Sequence, residues 1–249
     1  MRIAIKKTML YGGLITLALL ALGQDKPGGA DQPWDDLESQ LRHSGVQTDT
    51  ASLIQAAASN PNEGLRWMAI EVLGLKGEQG AKPALRRILS NHSSRLLQES
   101  AALALARLKD DAGIPALRTF MKTSTNPERQ VFLAARLAEF GDHSGYHFVK
   151  EAATSKDEHL RYLSAAALVP FIPFEIAGHV PIDPLERMIA LASDKDPVIR
   201  KEVLIEFSLA VPKGAPLDRL KQVAKKMKND PEASVQQAAD SFLALWEMK

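Results

Sequence analysis

Apolar residues return at helical spacing along most of this chain, and the helical pattern itself returns. Arg66, Gln98, Gln130, Arg161, Arg200 and Gln236 stand in register. One residue earlier come Leu65, Leu97, Arg129, Leu160, Ile199 and Val235; three later come Ala69, Ala101, Leu133, Ser164, Val203 and Ala239. Seven later stand Leu73, Leu105, Leu137, Leu168, Phe207 and Leu243, followed by the small or slim Gly74, Ala106, Ala138, Val169, Ser208 and Ala244. These offsets share one side of an α-helix. Successive anchors are 32, 32, 31, 39 and 36 residues apart. A self-similar period in this range predicts stacked repeats, none of which buries its apolar face alone.

Each period holds a second helix. Pro83-Ala-Leu85, Pro115-Ala-Leu117, Pro184-Leu185 and Pro216-Leu217 mark its start. Proline suits a first turn because its missing N–H has no intrahelical partner there. Leu85, Ile88 and Leu89, then Leu117, Phe120 and Met121, continue as core positions. Glu78, Asp110 and Asp142 precede these helices, placed to cap them or complement their positive ends. The ends differ, as a stack requires. Pro33 to Leu37 and Ala51 to Ile54 predict an atypical first pair, and a lone helix from about Pro231 to Met248 closes the other end with Phe242, Leu245 and Trp246.

The stretch Asp196-Pro197-Val198-Ile199-Arg200 opens one repeat, with Asn60-Pro61…Leu65-Arg66 and Asp230-Pro231…Val235-Gln236 as looser copies. This entry, recurring over about residues 52–249, resembles the HEAT-repeat family and its short bacterial-type helical repeats. The resemblance implies an all-α fold, a right-handed α-solenoid of about six HEAT-like helix pairs over residues 33–249. It also implies that the entry arginine bonds an inter-helix acid. The alternation of Arg and Gln at the anchor predicts a ladder of long polar donors.

The first 23 residues read differently: Arg2, Lys6 and Lys7 precede an uncharged apolar run from Thr8 to Gly23, ending in Ala21-Leu22-Gly23. That is the pattern of a secretory signal peptide, with a retained membrane anchor as the alternative. Residues 24–32 read as a flexible linker. Three of the 31 basic residues fall in the signal, so the remainder carries 28 bases against 30 acids, a formal charge of −2. This balance argues against a general nucleic-acid binder. The chain has no cysteine, which removes disulfides, thiol nucleophiles and thiolate metal sites.

Candidate chemistry is sparse. Arg86, Arg118, Lys150, Arg187 and Arg219 occupy one offset in successive second helices, and Arg87, Lys221, Lys225 and Lys226 thicken the row. In HEAT-like arrays the second-helix layer lines the concave side, so this row is a candidate seat for an acidic partner, unless Glu151, Glu186 and Asp218 neutralise it. The long fourth period carries an insertion, 169–184, whose Phe171 and Phe174 either grip a partner or pack back on their own repeat. His143 and His147 are four apart, but Gly141 and Gly145 break the helix around them, and they read as surface histidines of a turn. Asn91-His92-Ser93 fits a glycosylation acceptor, meaningful only in a eukaryotic secretory route. HEAT-type iron hydroxylases carry adjacent His-Glu pairs, and this chain has none. Nor has it G-x-S-x-G, a P-loop or G-x-G-x-x-G. The expectation is an exported, periplasmic or secreted, non-enzymatic scaffold that binds a protein or peptide, with no cofactor and no nucleic acid. The alternatives are an enzyme or accessory protein akin to the helical-repeat bilin lyases, by fold analogy alone, or a membrane-anchored structural array. Cleavage after Gly23 predicts a mature protein beginning near Gln24. Intact-mass measurement on envelope-fraction protein checks this; an attached Met1 supports the anchor instead.

Overall fold

The computed structural model describes residues 32–91, 94–178 and 182–247. The expected signal and nearly all of the linker lie outside the described residues, as do two positions of the glycosylation acceptor. The described chain is all-helical and divides between Thr123 and Ser124 into two compact units, each described by itself. The first unit holds α1 (Asp35–His43), α2 (Thr50–Ser59), α3 (Glu63–Leu75), α4 (Lys82–Asn91), α5 (Arg95–Arg107) and α6 (Gly113–Thr123). The second holds α7 (Pro127–Glu139), α8 (Tyr146–Ala153), α9 (Glu158–Leu168), α10 (Ile172–Ala177), α11 (Pro184–Leu191), α12 (Pro197–Ala210), α13 (Leu217–Met227) and α14 (Ala233–Glu247). Among the described residues this makes six HEAT-like helix pairs, counting α9 with α11, followed by one closing helix.

Within each unit the first helices stack on one another: α3 on α5, and α7 on α9, α9 on α12, α12 on α14. Second helices pack against the first helix of the following repeat, as α4 does on α5, α8 on α9, α11 on α12 and α13 on α14. The register supplies the core. Leu73 and Leu105 in the first unit, and Leu137, Leu168 and Phe207 in the second, are fully buried, and Leu243 is nearly so. Gly74 shows why a slim residue follows: a Cβ there would stand 2.8 Å from both Cα and Cβ of Ala104 on α5. The requirement relaxes along the chain, since Ser208 is half-buried and Ala244 exposed.

Helix starts follow the sequence. Asn62, Ser94, Asn126, Asp157 and Asp196 are N-caps whose side chains accept from N–H groups of the first turn, Asp196 from Val198 at 2.8 Å. Helix exits use a left-handed residue. Gly77, Lys109 and Gly141 stand eleven residues after their anchors with positive φ. The next residue, Glu78, Asp110 or Asp142, sends its N–H back to the carbonyl of Leu73, Leu105 or Leu137 at 2.9–3.1 Å. These acids therefore close the first helix. Asp110 and Asp142 also accept from N–H groups two residues on, whereas Glu78 makes no side-chain cap bond, which leaves it the second of the two expected roles, a charge at the positive end of the helix.

The same device explains the long periods. After α9 no left-handed residue occurs at the usual place, and the chain runs on through a 3₁₀ turn (Val169–Phe171) and α10 to Gly178, φ +68°. After α12 it runs through Val211–Lys213 to Gly214, φ +102°. The exit is displaced and the period grows with it.

The anchors tie the repeats. Arg66 donates to the carbonyls of Ala57 (3.1 Å) and Ala58 (2.8 Å), Gln98 to Leu89 (3.2 Å), Gln130 to Ser124 (2.9 Å) and Gln236 to Asp230 (2.6 Å). Each closes the end of the helix or turn before it. Arg161 and Arg200 do this and more. Arg161 donates to the carbonyls of Ser155 and Lys156 and grips both carboxylate oxygens of Asp194, one repeat on, at 2.7 and 3.1 Å. Arg200 donates to the carbonyls of Asp194 and Lys195 and grips Asp230 at 2.7 Å through both nitrogens. The choice of donor follows the acceptor. In the second unit arginine stands where the following repeat offers an aspartate six residues before its own anchor, and Gln130 stands where that position is Ser155.

Both ion pairs are nearly dry, with the Arg161 and Asp194 side chains 9% and 8% exposed. Burial pushes the Asp194 carboxyl up, but the hydrogen bonds from Arg161 and from the Asp196 N–H hold it below the usual range; Asp230 is held low chiefly by Arg200. Depressed carboxylates stabilise the fold above their unfolded pKa, and that stability is lost as pH falls through the folded value. Removing one partner of a buried pair leaves the other uncompensated and costs about 3–5 kcal/mol. Arg161→Ala should lower stability by that amount in a denaturant titration at pH 7, with the gap to wild type narrowing in acid; a cost below about 1 kcal/mol would contradict the ladder.

Candidate functional site

The five basic residues of the row sit on second helices as the register requires, on α4 and α6 in the first unit and on α8, α11 and α13 in the second. Acids meet them. Arg86 donates to both carboxylate oxygens of Asp110 at 3.1 Å and to Asp111 at 2.6 Å. Arg187 donates to Asp183 at 2.9 Å, and the Lys150 ammonium lies 3.9 Å from the same carboxylate. Arg219 reaches one repeat back to Glu186 at 2.7 Å. Arg118 is half-buried on α6. Of the residues thickening the row, Lys221 is drawn to the Trp246 carbonyl at 3.0 Å, while Lys225 and Lys226 are exposed. Within each unit the row thus alternates bases with acids; Arg86 and Arg219 are 53% and 44% exposed, whereas Asp110 beneath Arg86 is buried.

The insertion packs back on its own unit. Phe171 is fully buried, its ring 5.2 Å from Tyr146, and it is core, not a contact for a partner. Phe174 is half-buried between Phe171 (6.3 Å) and His143 (5.4 Å). Glu175 accepts from the Leu185 N–H at 2.9 Å, and the Tyr146 hydroxyl donates to Asp183 at 2.7 Å, fastening both ends of the loop. Burial, and then the Asp183 carboxylate, raise the Tyr146 pKa. His143 and His147 are both exposed, with His143 outside α8 and His147 within it. No group of three metal-ligating side chains occurs among the described residues.

Periodicity gave no warning of a third feature. Glu202 and Glu206, one helical turn apart on α12, occupy offsets where the preceding repeat carries Leu163 and Ala167. Glu206 is 2% exposed. Burial pushes its carboxyl up to about 8, and the Glu202 charge adds to that; burial also raises Glu202, against the opposing bond from the Tyr162 hydroxyl. Tyr162, on α9, is pushed up to about 12 by burial and by the two glutamates. Two acids at core offsets were the available signal.

Residues 50–136 match the family model for HEAT repeats. Among solved structures, Escherichia coli YibA aligns with a TM-score of 0.51 at 16% identity, covering 89% of this chain and 77% of its own. An engineered protein aligns at 0.44 and 19% identity over 79% of this chain and 95% of its own. Human deoxyhypusine hydroxylase in complex with glycerol aligns at 0.39 and 14% identity over 99% and 100%. At such identities the YibA likeness shows fold alone, and the other two carry no argument. No curated protein sequence matches. The fold is an array of HEAT-like repeats.

The buried acid has a measurable consequence. A carboxyl whose folded pKa is raised stabilises fully below its unfolded pKa and loses that contribution as pH rises toward the folded value. The window here runs from the ordinary glutamate range up to about 8. Glu206→Gln removes the penalty, so the variant should match wild type in melting temperature near pH 4.5 and exceed it by several degrees at pH 8–9. Parallel melting curves across that range would rule out the burial effect.

Proposed function

We propose that this chain is an exported, non-enzymatic HEAT-repeat scaffold that binds an acidic segment of another protein along its second helices. The supporting observation is the row itself: a basic residue at one offset in successive second helices, held in pairs whose bases are part-exposed. Exposed pairs are worth only about 0–1 kcal/mol each. Exchanging Glu186 or Asp111 for a partner's carboxylate therefore costs little, and several small exchanges within a unit add up. Phe171 supports the row of the second unit from the core, through the Tyr146 ring whose hydroxyl bonds Asp183. Export is supported by the basic, apolar and small-residue pattern of residues 1–23. The non-enzymatic reading is supported by a sequence that carries no G-x-S-x-G, P-loop or G-x-G-x-x-G.

Affinity purification from the native envelope after crosslinking tests this, using wild type beside Arg118→Glu/Arg219→Glu. Two surface charges at about 1 kcal/mol each predict roughly thirtyfold weaker binding, and correspondingly less partner recovered, by the double variant. Recovery should also fall with added salt, because exposed attraction is screened within about 8 Å at physiological ionic strength. Equal recovery by wild type and variant would remove the row from the binding surface. Detection of the chain only in the cytosol would remove export.

A further inference from the structure

The other buried acids among the described residues, and several half-buried ones, are answered by bases. Glu38 accepts from Lys76 (2.9 Å) and Arg42 (3.1 Å), Glu71 from Arg107 (2.7 Å), Glu99 from Arg95 (3.0 Å) and Asp110 from Arg86. Asp194 and Asp230 are gripped by the anchors. Glu202 and Glu206 break this rule. Among the described residues no base lies within ion-pair distance of either; Glu202 has only the Tyr162 hydroxyl and the exposed Lys201 acting on it, and Glu206 only Glu202 and Tyr162. From α11 and α14, which also pack on α12, no titratable group acts on Glu206.

The surroundings are as unusual as the acids. Val198, Glu202, Ile205 and Glu206 are spaced i, i+4, i+7 and i+8, one face of α12. Val198 is 58% and Ile205 37% exposed, two of only four large apolar side chains this exposed among the described residues. Apolar side chains therefore stand open on the face that carries the acid pair. Glu206 is covered, while Glu202 and Tyr162 are half-covered.

The geometry points to a seat for a basic side chain, a lysine or arginine of a protein partner, on this outer face of α12. An aliphatic stem lies along Val198 and Ile205, and its charged head meets Glu202 and, behind it, Glu206. An arginine fork suits two neighbouring carboxylates better than a point charge does. Charge complementarity selects this occupant: a neutral apolar segment would leave the two acids covered and unanswered, at a further desolvation cost. The site uses other residues than the second-helix row and does not rest on that reading.

Ionisation is part of the binding event. Glu206 is largely protonated at neutral pH, and an incoming cation favours its charged form, so a proton leaves as the pair forms. The full chain is titrated with a blocked peptide carrying one central arginine flanked by leucines, and with the same peptide carrying citrulline, its neutral isostere. The arginine peptide should bind at least roughly tenfold more tightly, a difference of about 1.4 kcal/mol. Calorimetry in two buffers of different ionisation enthalpy should show proton release, and affinity should rise from pH 6 to pH 8. Glu202→Gln and Glu206→Gln should each abolish the discrimination, while Arg118→Glu/Arg219→Glu leaves it intact. Glu206→Gln relieves a buried acid and is expected to fold, and Tyr162→Phe, which keeps both acids, should retain the preference for arginine. Equal binding of the two peptides, no binding at millimolar concentration, or discrimination that survives Glu206→Gln would overturn the site.

Discussion

The second unit depends on a single economy of hydrogen bonds at the start of each first helix. A helix end leaves carbonyls without intrahelical partners, and a stack of short helices buries many such ends. One long side chain per repeat answers them. Placing that donor in the first turn fixes where the preceding helix must stop. That in turn fixes the height of the apolar residues three and seven positions on. Phe207 and Leu168 meet at equivalent levels because Arg200 and Arg161 are pinned at equivalent levels. Hydrophobic burial supplies the driving force, but it is non-directional, and the ladder supplies the register.

Ionic pairing is layered on that economy where a carboxylate is within reach. A buried ion pair is weak evidence for stability, since desolvating both charges offsets much of their attraction. Here the arginines have carbonyls to bond in any case, and the aspartates answer charge that is already buried. The glutamates of α12 are the reverse case: acids buried at core offsets with no such answer. Arginine and aspartate in the ladder shape the fold; glutamate on α12 burdens it.

The repeat was plain in the sequence because the physics that forms it is periodic. Apolar offsets, N-caps and turn residues recur, so each weak signal is read several times, and Arg200 is recognised through Arg66 and Arg161. The positions of second helices followed from Pro83 and Pro184. What escaped was anything that depends on which two repeats face each other. Nothing local tells that Arg86 meets Asp110 and Asp111, that Arg219 meets Glu186, or that Phe171 is core while Val198 is exposed. The insertion looked like a lip because it is apolar; it is apolar because α9 overruns its usual stop and must bury the extra turns.

One residue in the ladder belongs to two repeats at once. Asp194 gives its carboxylate to Arg161 in the preceding repeat and its carbonyl to Arg200 in its own, and Asp230 serves Arg200 and Gln236 in the same way. The module that can be lifted out whole is therefore not the helix pair that the eye or the period picks. A cut made at a helix boundary, between Ser193 and Pro197 for example, parts a buried guanidinium from one of its two kinds of acceptor whichever side of Asp194 it falls. Seams of the second unit run through these side chains, which bridge the loops and leave no clean cut at a helix boundary.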